Sequence, residues 1–240
     1  MAEVNAIIAA WRGYEYPPDR IRLQTLMLPA VMAAIRDTFQ FRGSGLGLPP
    51  ATFGPPPQEV GLVFQLGVLS EDSGPDISIR DLYFEPRRVA ICVGGPSSAI
   101  DRVWSKLRQV LAQLPGVGKA SVLPEPQAER DFSELNIRLR IPIQSLVAPQ
   151  LVEASREAVG EAAARQDVFV PAIHAVFVKE AASYLGDFPG GQIGPQNVWT
   201  LSLRAGTMVS PGQEFYSAAP LASDAHVAFL NKLESAIASS

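Results

Sequence analysis

The residues best suited to chemistry by type and spacing lie at positions 94–98, Gly-Gly-Pro-Ser-Ser, between an apolar run and an amphipathic run. Backbone N–H groups here, with the hydroxyls of Ser97 and Ser98, could bind an anion such as phosphate at a helix start. The segment that begins with Gly94 and Gly95, however, lacks both the Lys-Ser/Thr ending of a P-loop and the glycine spacing of a dinucleotide fingerprint. The sequence therefore favours an ordinary turn with a helix cap, and anion binding is the alternative.

Nucleophilic or acid–base chemistry could use the single cysteine, Cys92, and the two histidines, His174 and His226. Cys92 falls in an apolar run, where a thiol usually acts as a small hydrophobic group. His174 lies in a strand-like run, and His226 lies on or beside the apolar stripe of the last helix. Their separation matches no metal-ligand spacing. The three residues are therefore candidates only for a cleft between two halves of the chain, and we assign no catalytic residue and no metal ligand.

Charged residues give two further patterns. Arg80 and Arg204 end the similar segments Ile-Ser-Ile-Arg and Leu-Ser-Leu-Arg, so they could bind an acidic partner at equivalent positions. The simpler interpretation is that both charges face water. Glu153, Glu157 and Glu161 repeat every four residues, which predicts a solvated helix face rather than acid–base machinery.

A hairpin followed by a helix must position most of these candidates. Residues 77–84 and 88–93 are rich in β-branched and aromatic side chains and flank a turn-like Glu-Pro-Arg, which predicts two antiparallel strands. After the Gly-Gly-Pro break, apolar residues recur at steps of three and four, which is typical of one helix face: Ile100, Val103, Trp104, Leu107, Val110, Leu111 and Leu114. Pro115 and Gly116 should end this helix, whose apolar stripe we expect to pack on the hairpin.

The chain also contains an internal similarity. Residues 21–37 and 141–157 align without a gap at an offset of 120, and 6 of the 17 positions are identical. Residues 77–80 match 201–204 at an offset of 124, and the helix stripe that begins at Ile100 matches the one that begins at His226 at an offset of 126. Because the order is kept and the offsets drift slowly, we expect two copies of one unit. The alternative is two unrelated segments with common patterning.

The repeat defines the expected architecture. We predict an N-terminal helix within residues 1–13, a first α+β repeat over 14–124 and a second over 125–240, packed as a pseudo-dimer. Each repeat should read strand, helix, three strands, helix, with mostly antiparallel sheets and the helices on one face. A ferredoxin-like variant is compatible with this order. Three segments, 43–57, 124–131 and 186–196, are expected to be loops or connectors.

Composition limits the possible classes of function. The 240 residues carry a formal charge of −4, which gives no general electrostatic basis for binding nucleic acid. One cysteine excludes an intramolecular disulfide and fits a reducing compartment. The N-terminus lacks a secretion signal and no apolar run is long enough to span a membrane, so we expect a soluble, cytoplasmic protein.

These observations lead to two functional hypotheses. The first is a non-catalytic binding or assembly protein that acts through protein–protein contacts or self-association, since duplicated sheets leave strand edges that can recruit partners. The alternative is a small-molecule-binding protein or enzyme with a site in the cleft between the repeats. Neither hypothesis implies a cofactor. One deep pocket that collected the cysteine, the histidines and the paired arginines would favour the alternative.

Overall fold

The computed structural model describes residues 2–18, 20–47, 60–70, 74–114, 123–141, 143–150, 153, 172–176, 198–204 and 213–238. They form an antiparallel sheet of nine strands and four α-helices, an α+β architecture. The strands are β1 (Glu3–Glu15), β2 (Gly43–Gly47), β3 (Gly61–Leu69), β4 (Ile77–Glu85), β5 (Arg88–Gly94), β6 (Ala128–Arg138), β7 (Ala172–Val176), β8 (Val198–Leu203) and β9 (Glu214–Ala219). The helices are α1 (Leu23–Leu26), α2 (Pro29–Thr38), α3 (Ser98–Gln113) and α4 (Ser223–Ala238), and Ile143–Leu146 form a 3-10 turn.

The sheet order is β2-β3-β4-β5-β1-β6-β9-β8-β7, with β1 and β6 paired at the centre. Ala10 and Ser133 face each other in that central pair; Ala10 also pairs with Val93 of β5, and Ser133 with Ala219 of β9. Outward from the centre the neighbours are β5, β4 and β3 on one side and β9, β8 and β7 on the other. We call two residues counterparts when they occupy the same position in this outward order.

The predicted hairpin and helix are confirmed. β4 pairs antiparallel with β5, and α3 follows after a short turn. Gly95 in that turn has φ +141, a backbone conformation that residues with a Cβ rarely adopt, which explains why a glycine occupies this position. Pro29 occupies the first turn of α2, where its missing N–H removes no helical hydrogen bond.

The helix predicted within residues 1–13 is wrong, because Glu3–Glu15 form the central strand β1. The β1–β6 register shifts between Val4 and Ala6 and again between Ile7 and Ala9. A bulge adds one residue to a strand and so breaks the alternation of its side chains. Apolar residues of β1 therefore recur at helix-like steps although the backbone is extended.

Two predicted loops are also partly wrong. Gly43–Gly47 form β2 within the expected loop 43–57, so the first half has four strands between its helices instead of three. The connector expected at 124–131 is shorter, since β6 already begins at Ala128. The loop expected at 186–196 lies outside the described residues.

The buried apolar residues form three clusters. The largest combines β1, β3, β4 and β5 with residues of α1, α2 and α3, and the second combines β6, β8 and β9 with Leu230 of α4. The third contains strand residues alone: Ala9, Trp11, Val63, Tyr83, Ala90 and Cys92, with Phe132 packed against them. No helix in the described part of the chain is long and apolar enough to cross a membrane.

Candidate functional site

Five ionisable side chains on β4, β5, β6 and β9 form the candidate site, which we call the central polar group: Arg80, Asp81, Cys92, Glu134 and Tyr216. Asp81 of β4 pairs with Cys92 of β5, which in turn pairs with Trp11 of β1. Trp11 opposes Phe132 of β6, two residues before Glu134, and Glu134 pairs with Ala218 of β9, two residues after Tyr216. Side chains two apart share a face of a strand, so Asp81, Cys92, Glu134 and Tyr216 lie on one side of the sheet.

Hydrogen bonds position two parts of the group, Arg80 and the Glu134–Tyr216 pair. The guanidinium of Arg80 donates to the carbonyl oxygen of Ile8 at 3.1 Å. Arg80 lies at a β-bulge, because the register of β4 shifts between Ile79 and Asp81. Ile8 lies at another, because the register of β1 shifts between Ile7 and Ala9. The hydroxyl of Tyr216 donates to Glu134. The bulges thus allow an arginine to reach across β5 to the central strand.

Burial changes the protonation of the group. It raises the pKa of Glu134, an effect opposed by the hydrogen bond from Tyr216 and by the charge of Arg80. It also raises the pKa of Asp81, against the hydrogen bond from Gln65 and the charge of Arg80. The Cys92 thiol has its pKa raised to about 12, first by burial and then by the charge of Asp81. Cys92 is therefore a protonated thiol at neutral pH and not a nucleophile.

The histidines lie elsewhere. His226 of α4 is fully buried between two serines, with Ser133 Oγ 2.9 Å from Nδ1 and Ser217 Oγ 2.8 Å from Nε2. The indole N–H of Trp199 donates to the same Ser217 oxygen at 3.0 Å. His174 is exposed on β7, where Nδ1 lies 3.0 Å from the hydroxyl of Thr200. The structure thus brings neither histidine to Cys92.

The buried Ser-His contacts resemble part of a catalytic triad only in residue type. Burial lowers the pKa of His226 to about 4, so the imidazole is neutral at physiological pH and a poor base. His226, Ser133 and Ser217 are all fully buried, which prevents a substrate from reaching either hydroxyl. A neutral imidazole has one donor and one acceptor nitrogen, and hydroxyls serve as either, so the contacts form a satisfied structural network.

The segment at 94–98, for which the sequence favours a turn with a helix cap over anion binding, makes hydrogen bonds within the protein. Ser97 donates its N–H to Ser223 Oγ at 3.0 Å, and Ser223 donates its N–H to Ser97 Oγ at 2.9 Å. The N–H groups of Ala99 and Ile100 bond to carbonyls of the preceding turn. Each of the two serines thus caps the other helix, and α3 has no side-chain cap from its own N-cap residue. Ser98 and Gly94 are exposed.

Arg80 and Arg204 do not occupy equivalent positions. Arg204 follows β8, bonds through its backbone N–H to Glu214 and places Nη1 3.0 Å from the Glu214 carboxylate. The counterpart of that pair is Glu85 with Arg88, whose carboxylate and Nε lie 2.9 Å apart. The short sequence match at 77–80 and 201–204 is therefore out of register with the sheet.

Sequence reasoning missed Asp81, Glu134 and Tyr216 of the central polar group, and it missed the three residues of the His226 network: Ser133, Ser217 and Trp199. A signal existed for His226, which interrupts an otherwise apolar helix stripe. Polar residues that alternate along the strands were a weaker signal for the others, since the same pattern is typical of a solvated face. Among the described residues no set of three or more His, Cys, Asp or Glu side chains is arranged to hold a metal ion.

Comparison with protein-family models, with curated proteins and with solved structures finds no match to this chain.

Proposed function

We propose that this chain is a non-catalytic binding or assembly protein that acts through protein–protein contacts, with the outer edge of β2 as its contact surface. One observation carries this proposal. In the described part of the chain β2 is the last strand of the sheet, pairs with β3 on one side, and exposes Ser44, Gly45 and Leu46 to solvent. An exposed edge presents unpaired N–H and C=O groups to which an extended segment of another protein can bond.

The chemistry of the buried groups supports a non-catalytic role. Cys92 is a neutral thiol, and His226 is sealed between two serines. Both are the kind of residue that a catalytic hypothesis needs, and both are held in protonation states and positions that disfavour reaction. A cytoplasmic location is part of the proposal, since the lone cysteine is free and buried.

We propose further that the two halves descend from one duplicated unit and form a pseudo-dimer, with the helices on one face of the shared sheet. The equal outward order of strands supports this. So do the reciprocal bonds between Ser97 and Ser223, which lie 126 residues apart, the same offset as the helix stripes. The central contact between β1 and β6 is itself an edge-to-edge pairing of the two halves.

A matched pair of variants tests the contact surface. Leu46 and Leu66 are 62% and 63% exposed, but Leu46 lies on the outer strand and Leu66 on β3. Leu46→Lys should abolish recovery of proteins that the tagged wild-type chain recovers from lysate of its native cells, whereas Leu66→Lys should retain them. Equal recovery by both variants, with unchanged circular dichroism and thermal unfolding, would contradict the proposal.

A second candidate function is small-molecule binding at the central polar group. The observation in its favour is that Asp81 and Glu134 both have pKa values raised by burial, close to the charge of Arg80, which is frequent at ligand sites. Glu134→Gln keeps the acceptor for Tyr216 and removes the charge. A fragment whose binding raises the melting temperature of the wild type but not of Glu134→Gln would support this function over the first.

A further inference from the structure

The outer edge of β2 has an unusual composition for an exposed strand. Its five residues, Gly-Ser-Gly-Leu-Gly, include no charge and no proline, although open edges are usually protected by lysine, proline or a bulge. All five residues pair in continuous register with β3, from Gly43 opposite Gln65 to Gly47 opposite Gly61. Leu46 is 62% exposed on this strand. The edge therefore has no bulge, carries no charge and is partly apolar.

We propose that β2 pairs antiparallel with β2 of a second copy of this chain, centred on Gly45, so that two nine-stranded sheets join into one. This inference rests on the proposed function and names its partner. The two-fold axis would pass through the Gly45 pair, and each strand would satisfy the outward backbone groups of the other.

The sequence of β2 is suited to a two-fold axis. Such a contact is self-complementary, because each residue meets a position of the same patch. Around Gly45, Ser44 opposes Leu46 of the second copy and Gly43 opposes Gly47. A charged residue near the axis would lie close to its own duplicate and repel it, whereas these residues are all uncharged. The neutrality that leaves the edge unprotected is what self-pairing requires.

The exposed leucine favours a second copy over an unrelated strand. In this register Leu46 and its duplicate are diagonal neighbours on one face, about 7–8 Å apart at the backbone, which long side chains span. Leu46 lies opposite Leu62, a buried member of the largest core cluster, so the two leucines would extend that apolar layer across the junction. Self-pairing thus covers both exposed leucines at once.

The contact is small. Five residues a side bury less than the roughly 1,200 Å² of stable interfaces, so we expect a concentration-dependent dimer rather than an obligate one. Analytical ultracentrifugation of the full chain should show the mass rise from monomer toward dimer with concentration. Leu46→Lys should stay monomeric because it sets two ammonium groups side by side, and Leu66→Lys should dimerise as the wild type does.

A disulfide trap tests the register. A Cβ at Gly45 meets no atom of the described residues within 4 Å, so Gly45→Cys fits without strain, and the native Cys92 is buried with its pKa raised to about 12. Directly opposed residues lie within disulfide reach. Under mild oxidation Gly45→Cys should form a covalent dimer. Gly47→Cys is the control: its Cβ makes only an ordinary contact with Val63, and it would face Gly43 of the second copy.

The outcomes separate this inference from the proposed function. A covalent dimer with Gly45→Cys alone supports the inference; equal trapping of both cysteine variants, or a wild type that stays monomeric at high concentration, overturns it. If the inference fails while Leu46→Lys still loses proteins that Leu66→Lys recovers, the edge binds a different protein and the proposed function stands. If Leu46→Lys also recovers the same proteins from lysate as Leu66→Lys, both the inference and the proposed function fail.

Discussion

The cores beneath α3 and α4 occupy corresponding places in the sheet but are built from different chemistry. In the first half four counterpart positions are aliphatic and buried: Ala10, Ile79, Ile91 and Ile100. In the second half the same positions carry a hydrogen-bonded set: Ser133, Trp199, Ser217 and His226. The same position in the fold can thus be filled by an apolar packing or by a polar network in which every member needs its partners.

The correspondence follows from the register of the sheet. Ile91 lies two residues before Val93, the partner of Ala10, and Ser217 lies two residues before Ala219, the partner of Ser133. Along the helices, Ile100 and His226 each lie three residues after the mutually bonded serines at 97 and 223. Truncation of one aliphatic side chain in the first set leaves a cavity. Removal of one member of the polar set leaves buried hydrogen-bonding groups without a partner.

The largest effect is expected when the polar residue is moved into the apolar half without its partners. Ile100→His removes a buried aliphatic side chain and introduces two ring nitrogens that have no serine beside them. We expect a loss of about 3–5 kcal/mol in the free energy of unfolding, measured by urea denaturation. Adding Ala10→Ser and Ile91→Ser should recover part of this loss, because both hydroxyls then lie at the positions that they occupy around His226.

That rescue distinguishes a network from a change of volume. If the triple variant is less stable than Ile100→His by the sum of the separate serine effects, the positions are independent and the comparison between the halves fails. A loss of less than about 1 kcal/mol for Ile100→His would show that the first core already accommodates a polar group.

Sequence reasoning predicted the parts of the fold that depend on local pattern. The β4–β5 hairpin and α3 follow from strand propensity, turn residues and a regular apolar stripe. β1 was missed because two bulges place its apolar residues at helical steps, and β2 because three glycines in five residues resemble a loop. The His226 network and the central polar group depend on contacts between residues 9 to 93 positions apart, which no local pattern specifies.

Acid should lower the free energy of unfolding through His226 in the second half, by an amount between the largest and the smallest effects. The pKa of His226 is about 4 in the folded chain, below the usual value of about 6.5 in an unfolded chain, so between these pH values the unfolded chain binds the additional proton. The contribution of neutral His226 is complete above pH 6.5, falls as the pH drops and is lost by about pH 4. We expect a decrease of about 3 kcal/mol in the free energy of unfolding over this range.

His226→Ile, which copies the residue at its counterpart, isolates this effect. Asp81 and Glu134 have raised pKa values and stabilise the fold in the opposite direction as the pH falls, but they are present in both proteins. The difference in unfolding free energy between the two proteins should therefore shrink or reverse between pH 7 and pH 4. A constant difference would mean that His226 titrates normally in the folded chain.

The smallest effect is expected at the more exposed of two charged pairs that lie at the ends of the hairpins, with the acidic and basic residues exchanged between the halves. Glu85 and Arg88 have side chains only 8% and 10% exposed, while those of Arg204 and Glu214 are 52% and 26% exposed. Because solvent screens the exposed pair, Arg204→Gln should change the free energy of unfolding by less than about 1 kcal/mol, and salt should erase the change.

Glu85→Gln is the matched test in the first half. Since it leaves a buried guanidinium without its carboxylate, it should cost about 3 kcal/mol and vary little between 0.05 and 1 M salt. Equal costs, or equal dependence on salt, would mean that burial does not distinguish the two pairs.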